Sequence, residues 1–282
     1  MRGMVLVKDL GIIGYPIGYS MSSHMHNAAI HALGLDYTYV AMAVKPEDVK
    51  SVVIDFKTMK FRGFNVTIPH KIAIMKYLDE LDQSAKVIGA VNTVVNDDGK
   101  MTGYNTDYIG FLAPLKNMEF SMHDKHALVL GAGGVARAVV WGLIGEKVKT
   151  ITVIGRNMEK LNTIHNQFKE YFEIEIMDWN DAQYAERCKT ADIIVNTTPL
   201  GMYPKFDDCP PIDWFCVNKN ALVYDLIYNP KRTKFLDLAE KNGNPILNGE
   251  NMLVEQGAAA FKMWTSQDAP IQVMHEALKG VK

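Results

Sequence analysis

An α/β protein in two parts, each a sheet covered by helices and the second doubly wound, is what this sequence predicts. Three observations carry that expectation. Short apolar runs alternate with segments of helical spacing along the chain, one run opens into a glycine turn at Gly131, and 282 residues are about two domains' worth. Gly11–Gly14 reads as a strand and Met25–Leu33 as a helix ending before Gly34. Tyr37–Ala43, rich in aromatic and aliphatic residues, reads as a strand, and Glu47–Phe56 as a helix. Gly63–Ile68 is a strand stopped by Pro69, and Lys71–Leu78 has helical spacing. Val91–Asn96 with the turn at Asp97-Asp98-Gly99 predicts a hairpin. Such alternation argues for largely parallel sheets, and a second set of units begins after residue 126.

Composition narrows the function classes. Hydrophobic residues make up 48% and charged residues 22%, as in an ordinary globular protein. Thirty basic against 32 acidic residues leave a net charge of −2, without the basic excess that phosphate backbones attract, so nucleic acid is not an expected partner. The apolar stretch Ala127–Gly145 holds five glycines and Arg137, which makes a poor membrane span. Met4–Val7 is too short for a signal-peptide core and Lys8-Asp9 interrupts it. Cys188, Cys209 and Cys216 are odd in number and form no CxxC pair, so a reducing cytoplasm is expected, with no zinc knuckle. His24 and His26 are two apart, cannot share a helix face, and imply no metal site. His70, beside Lys71, is expected to be structural or solvent-facing.

The sharpest local signal is Ala127-Leu-Val-Leu-Gly131-Ala132-Gly133-Gly134-Val-Ala136, a strand, a glycine turn and a helix start. Gly131 permits the tight turn, Gly133 removes a side chain that would hold the backbone off a pyrophosphate, and Ala136 lets helix and strand pack closely. The helix N-terminus then faces the phosphates with free N–H groups. The next strand, Thr150–Ile154, ends at Gly155-Arg156-Asn157, where a dinucleotide fold meets the adenosine ribose. An acid there suits NAD, whereas Arg156, with Lys160 on the following helical turn, suits the 2′-phosphate of NADP.

Three further clusters precede this region: Gly14-Tyr-Pro-Ile-Gly-Tyr-Ser20-Met-Ser22, Gly63-Phe-Asn65-Val-Thr67-Ile-Pro-His-Lys71, and Gly89-Ala-Val-Asn92-Thr93 with Gly103-Tyr-Asn105-Thr106-Asp107. Two more follow it, Tyr224-Asp225-Leu-Ile-Tyr228-Asn-Pro230 and Asn248-Gly249-Glu-Asn-Met252-Leu-Val-Glu-Gln256-Gly257. Together they resemble the shikimate dehydrogenase family over nearly the whole chain. Ser23 stands where many members have proline, and Gly155 where many have asparagine. The resemblance implies an N-terminal α/β substrate domain, residues 1–107 completed by C-terminal helices of 250–282, and a Rossmann-type NADP domain, 108–249, with the active site in the cleft between them. It implies cofactor contacts from Gly131, Ala132, Gly133, Gly134, Ala136, Arg156, Asn157, Lys160, Leu226 and Gly249.

The chemistry of the first-domain clusters fits a small polyhydroxy carboxylic acid. Ser20 and Ser22, alternating on an extended loop, could both donate to one carboxylate; taken alone, they would read as a turn and helix cap. Asn65, Thr67, Asn92 and Gln256 offer neutral hydrogen bonds for ring hydroxyls, and the resemblance adds Tyr228 to the substrate contacts. Lys71 and Asp107 are the expected catalytic pair: hydride addition to a carbonyl builds negative charge on oxygen, which an ammonium can stabilise and protonate. Whether Lys71 is the proton donor or an electrostatic and orienting group stays open. Met252–Trp264 reads as helix core, with Gln256 alone reaching a ligand. The reading is NADPH-dependent reduction of 3-dehydroshikimate to shikimate by an enzyme with a small-molecule substrate and no nucleic-acid or membrane partner; a homodimer stays open. The alternatives are a quinate-using or NAD-using enzyme of the same class and a noncatalytic nucleotide-sensing module.

Overall fold

The computed structural model describes residues 8–18 and 20–279, so the Met4–Val7 run and Tyr19 lie outside the described residues. The chain divides into two compact units, one formed by the chain up to Gly110 together with that from Val254 onward, the other by Phe111–Leu253.

The first unit runs β1 (Lys8–Gly14), α1 (Ser22–Ala32), β2 (Tyr37–Ala43), a 3₁₀ turn at Pro46–Asp48, α2 (Val49–Thr58) and β3 (Gly63–Val66). A second 3₁₀ segment, Ala73–Tyr77, is followed by β4 (Glu80–Leu81), α3 (Gln83–Ile88), β5 (Thr93–Asp97) and β6 (Lys100–Tyr104). The helical spacing read over Lys71–Leu78 therefore folds as 3₁₀ over a shorter span, closed by the extended backbone of Leu78. Sequence reading passed over β4 and α3: two residues make a strand too short for any period, and six a helix whose boundaries are local. Asp82 caps α3 by accepting from Ser84 N and Ala85 N, and Gly89 ends it in the left-handed region.

The strand order is β2-β1-β3-β5-β6-β4. The expectation of a largely parallel sheet is corrected here: β1 pairs in parallel with β2 and β3, but β5 is antiparallel to both β3 and β6. The reason is the hairpin itself, whose Asp97↔Lys100 pair leaves Asp98 and Gly99 as a two-residue turn, both at positive φ. One face of the sheet buries Phe64, Val66, Val94 and Ile13 against Val49, Val53 and Phe56.

In the second unit, entered along α4 (Asp107–Asn117), six strands and four helices alternate: β7 (His126–Leu130), α5 (Gly134–Gly145), β8 (Thr150–Gly155), α6 (Met158–Phe168), β9 (Ile174–Asp178), α7 (Tyr184–Thr190), β10 (Ile193–Asn196), β11 (Leu222–Asp225), α8 (Lys234–Lys241) and β12 (Ile246–Leu247). Every pairing is parallel, in the order β12-β11-β10-β7-β8-β9. This is the doubly wound arrangement, with the order reversing between β7 and β10, where such sheets bind ligands beyond their strand ends. The central strands are buried on both sides and read as near-continuous apolar runs, as Leu128, Val129, Leu130 and Ile193, Ile194, Val195 show.

The chain returns to the first unit along α9 (Glu250–Thr265), followed by α10 (Ile271–Ala277). There Trp264 Nε1 donates to Val94 O at 2.9 Å, and Arg62 holds the carbonyls of Met263 and Trp264. Gly63 makes room for that indole, since a Cβ built on it would lie 2.2 Å from Trp264 Nε1. The C-terminal helix is thus part of the first unit's core.

Candidate active site

Lys71 follows the Thr67–His70 turn, in which His70 N donates to Thr67 O, and Val91 N bonds to the Lys71 carbonyl. His70 is buried, with a ring nitrogen 2.7 Å from Val44 O, so it holds the turn in place. This anchoring presents the Lys71 ammonium to Asp107 at 2.6 Å, where the two side chains are only 13% and 6% exposed. Asp107 is the first residue of α4, and its backbone N–H bonds to Asn105 Oδ1. Its second oxygen accepts from Asn92 Nδ2 at 2.8 Å. Among the described residues the carboxylate is the only side-chain partner of Lys71, which leaves two of three ammonium N–H groups for another oxygen.

Asn92 is the hub of this cluster. Its Nδ2 also faces Thr106 Oγ1 at 2.9 Å and Gln256 Oε1 at 3.2 Å, while its Oδ1 accepts from Thr106 N and Thr93 Oγ1. A buried amide left unpaired costs about 1–3 kcal/mol, and here every valence is engaged. Asn92 therefore fixes Asp107 and Gln256 directly. Gln256, on α9, is brought to the cluster from 164 residues away in sequence.

Asn65 lies on β3, its Nδ2 bonded to Asn92 O and Thr93 Oγ1 and its Oδ1 accepting from Tyr39 OH at 2.7 Å. Thr67 stands just beyond the strand, half-buried, with its N–H on Ile13 O. The expectation that Ser20 and Ser22 alternate on an extended loop needs correction: Ser22 is the first residue of α1, after Met21 in the αR region, and its N–H donates to Ser20 Oγ at 3.3 Å. Ser20 caps the helix start, and Ser22 is buried beneath it.

In the second unit Gly131 has φ +112°, and a Cβ there would meet Thr197 Oγ1 at 2.5 Å, so both conformation and space demand glycine. Ala132 leads to Gly133, the N-cap of α5, where a Cβ would meet nothing within 4 Å and no side chain caps the helix. Gly134 opens α5, and Ala136 is fully buried one turn on. Free N–H groups and an open approach are what a pyrophosphate needs. Asn157 caps α6 by accepting from Lys160 N at 3.0 Å. Arg156 and Lys160, four positions apart, are both exposed, and among the described residues neither makes an ion pair. Two cations without a counter-charge at the end of β8 fit a 2′-phosphate.

Leu226 and Gly249 meet across the strand ends: a Cβ on Gly249 would lie 2.0 Å from Leu226 O, and Gly249 N bonds to Ile227 O. Both hang on Asp225, a fully buried carboxylate that accepts from Asn196 Nδ2, Ile227 N and Thr233 Oγ1. Burial pushes the Asp225 carboxyl up to about 6 against these donors. Tyr228 follows in the same loop, half-buried.

Sequence reasoning missed Tyr39, Thr93, Thr106 and Asp225 as parts of these clusters. Thr93, Thr106 and Asp225 lie inside the motifs that carry the resemblance, whereas Tyr39 sits in a strand of mostly aromatic and aliphatic residues outside them.

Residues 12–94 match the shikimate dehydrogenase substrate binding domain, 114–200 the shikimate / quinate 5-dehydrogenase model, and 249–279 the shikimate 5'-dehydrogenase C-terminal domain. The shikimate dehydrogenase (NADP(+)) of Methanococcus maripaludis is 44% identical over 274 residues, covering 96% of both chains. A crystal structure of a shikimate dehydrogenase in complex with NADP+ superposes with a TM-score of 0.90 at 41% identity, covering 96% of this chain and 94% of that one. The Listeria monocytogenes enzyme, solved with shikimate and NAD, gives 0.89 at 34% identity over 98% of each.

Proposed function

This chain belongs to the shikimate dehydrogenase family, and from that premise we propose that it reduces 3-dehydroshikimate to shikimate, reversibly, with NADPH. The observation that carries the reading is the Lys71–Asp107 pair: an ammonium with one N–H held by a buried carboxylate and two left over, among neutral amides and hydroxyls. Neutral donors and acceptors recognise ring hydroxyls, and the spare ammonium N–H groups are suited to the oxygen that gains charge.

When bound, NADPH supplies the hydride. The glycine turn and the N-terminus of α5 hold its pyrophosphate, Arg156 and Lys160 its 2′-phosphate, and Leu226 with Gly249 its far end. Lys71 donates a hydrogen bond to the substrate's carbonyl oxygen, stabilises the charge that develops there and provides its proton; Asp107 keeps the ammonium aimed. Ser20 and Ser22 take the substrate carboxylate, and Asn65, Thr67, Asn92, Tyr228 and Gln256 surround the ring hydroxyls. The resemblance associates quinate use with threonine at the second serine position, so Ser22 favours shikimate. Three free thiols and no disulfide suit the reducing cytoplasm.

One assay tests this reading: absorbance of the reduced nicotinamide, with shikimate or quinate and with NADP or NAD. Turnover should be fastest with shikimate and NADP. Higher kcat/KM with quinate would sink the reading of Ser22, and no turnover with any pair would favour a nucleotide-sensing module.

A further inference from the structure

Tyr39 is fully enclosed, 1% exposed, yet its hydroxyl is part of the polar cluster. It lies on β2, and the register places Tyr39, Leu10 and Gly63 abreast, so the phenol leans over β1 to reach Asn65 two strands away. Its backbone is clamped by one side chain of α1: Asn27 Oδ1 accepts from Tyr39 N at 2.9 Å and Asn27 Nδ2 donates to Tyr39 O at 2.8 Å. Its ring stacks on His26 of the same helix, centroids 4.3 Å apart and planes 12° from parallel. Among the described residues buried His26 has no hydrogen-bond partner on either ring nitrogen, so it offers Tyr39 only its face.

The direction of these bonds follows from Asn65. Its Nδ2 is committed to Asn92 O and Thr93 Oγ1, so Oδ1 faces Tyr39 and the phenol proton goes to it. This bond ties the phenol to a residue on β3 that belongs to the proposed substrate contacts. Resting on the function proposed above, we propose that Tyr39 is a positioning residue for the substrate: its hydroxyl fixes the amide orientation of Asn65 from behind the site. Without it the ring would still stack, but the Asn65 oxygen would lose its donor and the substrate would have to order the amide on binding.

The test is Tyr39→Phe, which keeps the ring, read by steady-state kinetics and thermal shift on the full chain. Wild-type turnover is measured first; if the wild type shows neither turnover nor a shikimate-induced rise in Tm, the parent reading fails on its own. Given an active wild type, Tyr39→Phe should raise KM for shikimate roughly 5- to 50-fold, leave kcat within about threefold and leave KM for NADP unchanged. The shikimate-induced rise in Tm should shrink while the NADP-induced rise persists. In an Asn65→Ala background, Tyr39→Phe should raise KM by a much smaller factor, because the amide it orients is gone. An unchanged KM for shikimate beside a lower Tm would overturn the proposal, as would equal losses for both ligands or a variant that does not fold, since each makes Tyr39 a packing residue.

Discussion

Lys71 and Asp107 form a mutually buried pair in which the carboxylate takes one ammonium proton and Asn92 holds the other carboxylate oxygen. Lys71→Ala is expected to lower kcat by about 10² to 10⁴ with a far smaller change in KM, because the loss falls on charge that develops during reaction. Asp107→Asn should also slow turnover, and the double variant should be less impaired than the two losses combined predict. Retained kcat with loss of shikimate affinity alone would make Lys71 a binding residue. Arg156→Ala should weaken NADP binding roughly tenfold to a hundredfold and change NAD little, the scale of a charge-assisted hydrogen bond; equal loss for both cofactors would count against the 2′-phosphate assignment. His26 supplies a residue-scale pH effect. Burial lowers its imidazole from 6.5 to about 3, so the unfolded chain binds a proton that the folded chain refuses, and stability falls as pH drops below 6.5 toward 3. Urea unfolding of wild type and His26→Phe at pH 7 and pH 5 should show the variant gaining about 2 kcal/mol relative to wild type at the lower pH. A constant difference would be inconsistent with a neutral buried His26.

At the scale of elements, close approaches set what the sequence can vary. Gly63 on β3 admits the Trp264 indole of α9, and a methyl group there would collide with the ring and with Val94 O. Gly63→Ala is expected to cost about 2 to 4 kcal/mol in urea unfolding, the range for overpacking plus a lost indole hydrogen bond; a loss below roughly 0.5 kcal/mol would show that α9 can shift. The elements read well from sequence were those with a strong period or a strong breaker. β2 was read at its observed bounds, Tyr37–Ala43, and the β5–β6 turn fell at Asp98-Gly99 because that dipeptide accepts positive φ. α1 was read three residues short: Ser22, Ser23 and His24 carry no apolar signal, and Ser20 caps the helix from outside it.

At the scale of the whole molecule, the chain leaves its first unit in α4 and completes it in α9 and α10. A chain ending before Val254 is expected to lose hydrogen-exchange protection in α1, β2 and β3, where Gly257 and Phe261 pack on Met25 and His26 and Trp264 packs on Tyr39 and Gly63, while β7, β8 and β10 keep theirs; protection retained in both sets would show that the return is dispensable. The sequence by itself determined the α/β class, the glycine turn with the cations Arg156 and Lys160 that follow the next strand, and the residue types of the substrate cluster, because each depends on local patterning or on side-chain chemistry within a few positions. Only the tertiary structure decided that β5 runs antiparallel to β3, that Asn92 is the hub joining Asp107 to Gln256, and that Tyr39 stands behind Asn65. Those relations are hydrogen bonds between residues 15 to 164 positions apart, and a strand's partner or a buried hydroxyl's acceptor is chosen by packing that no local period encodes.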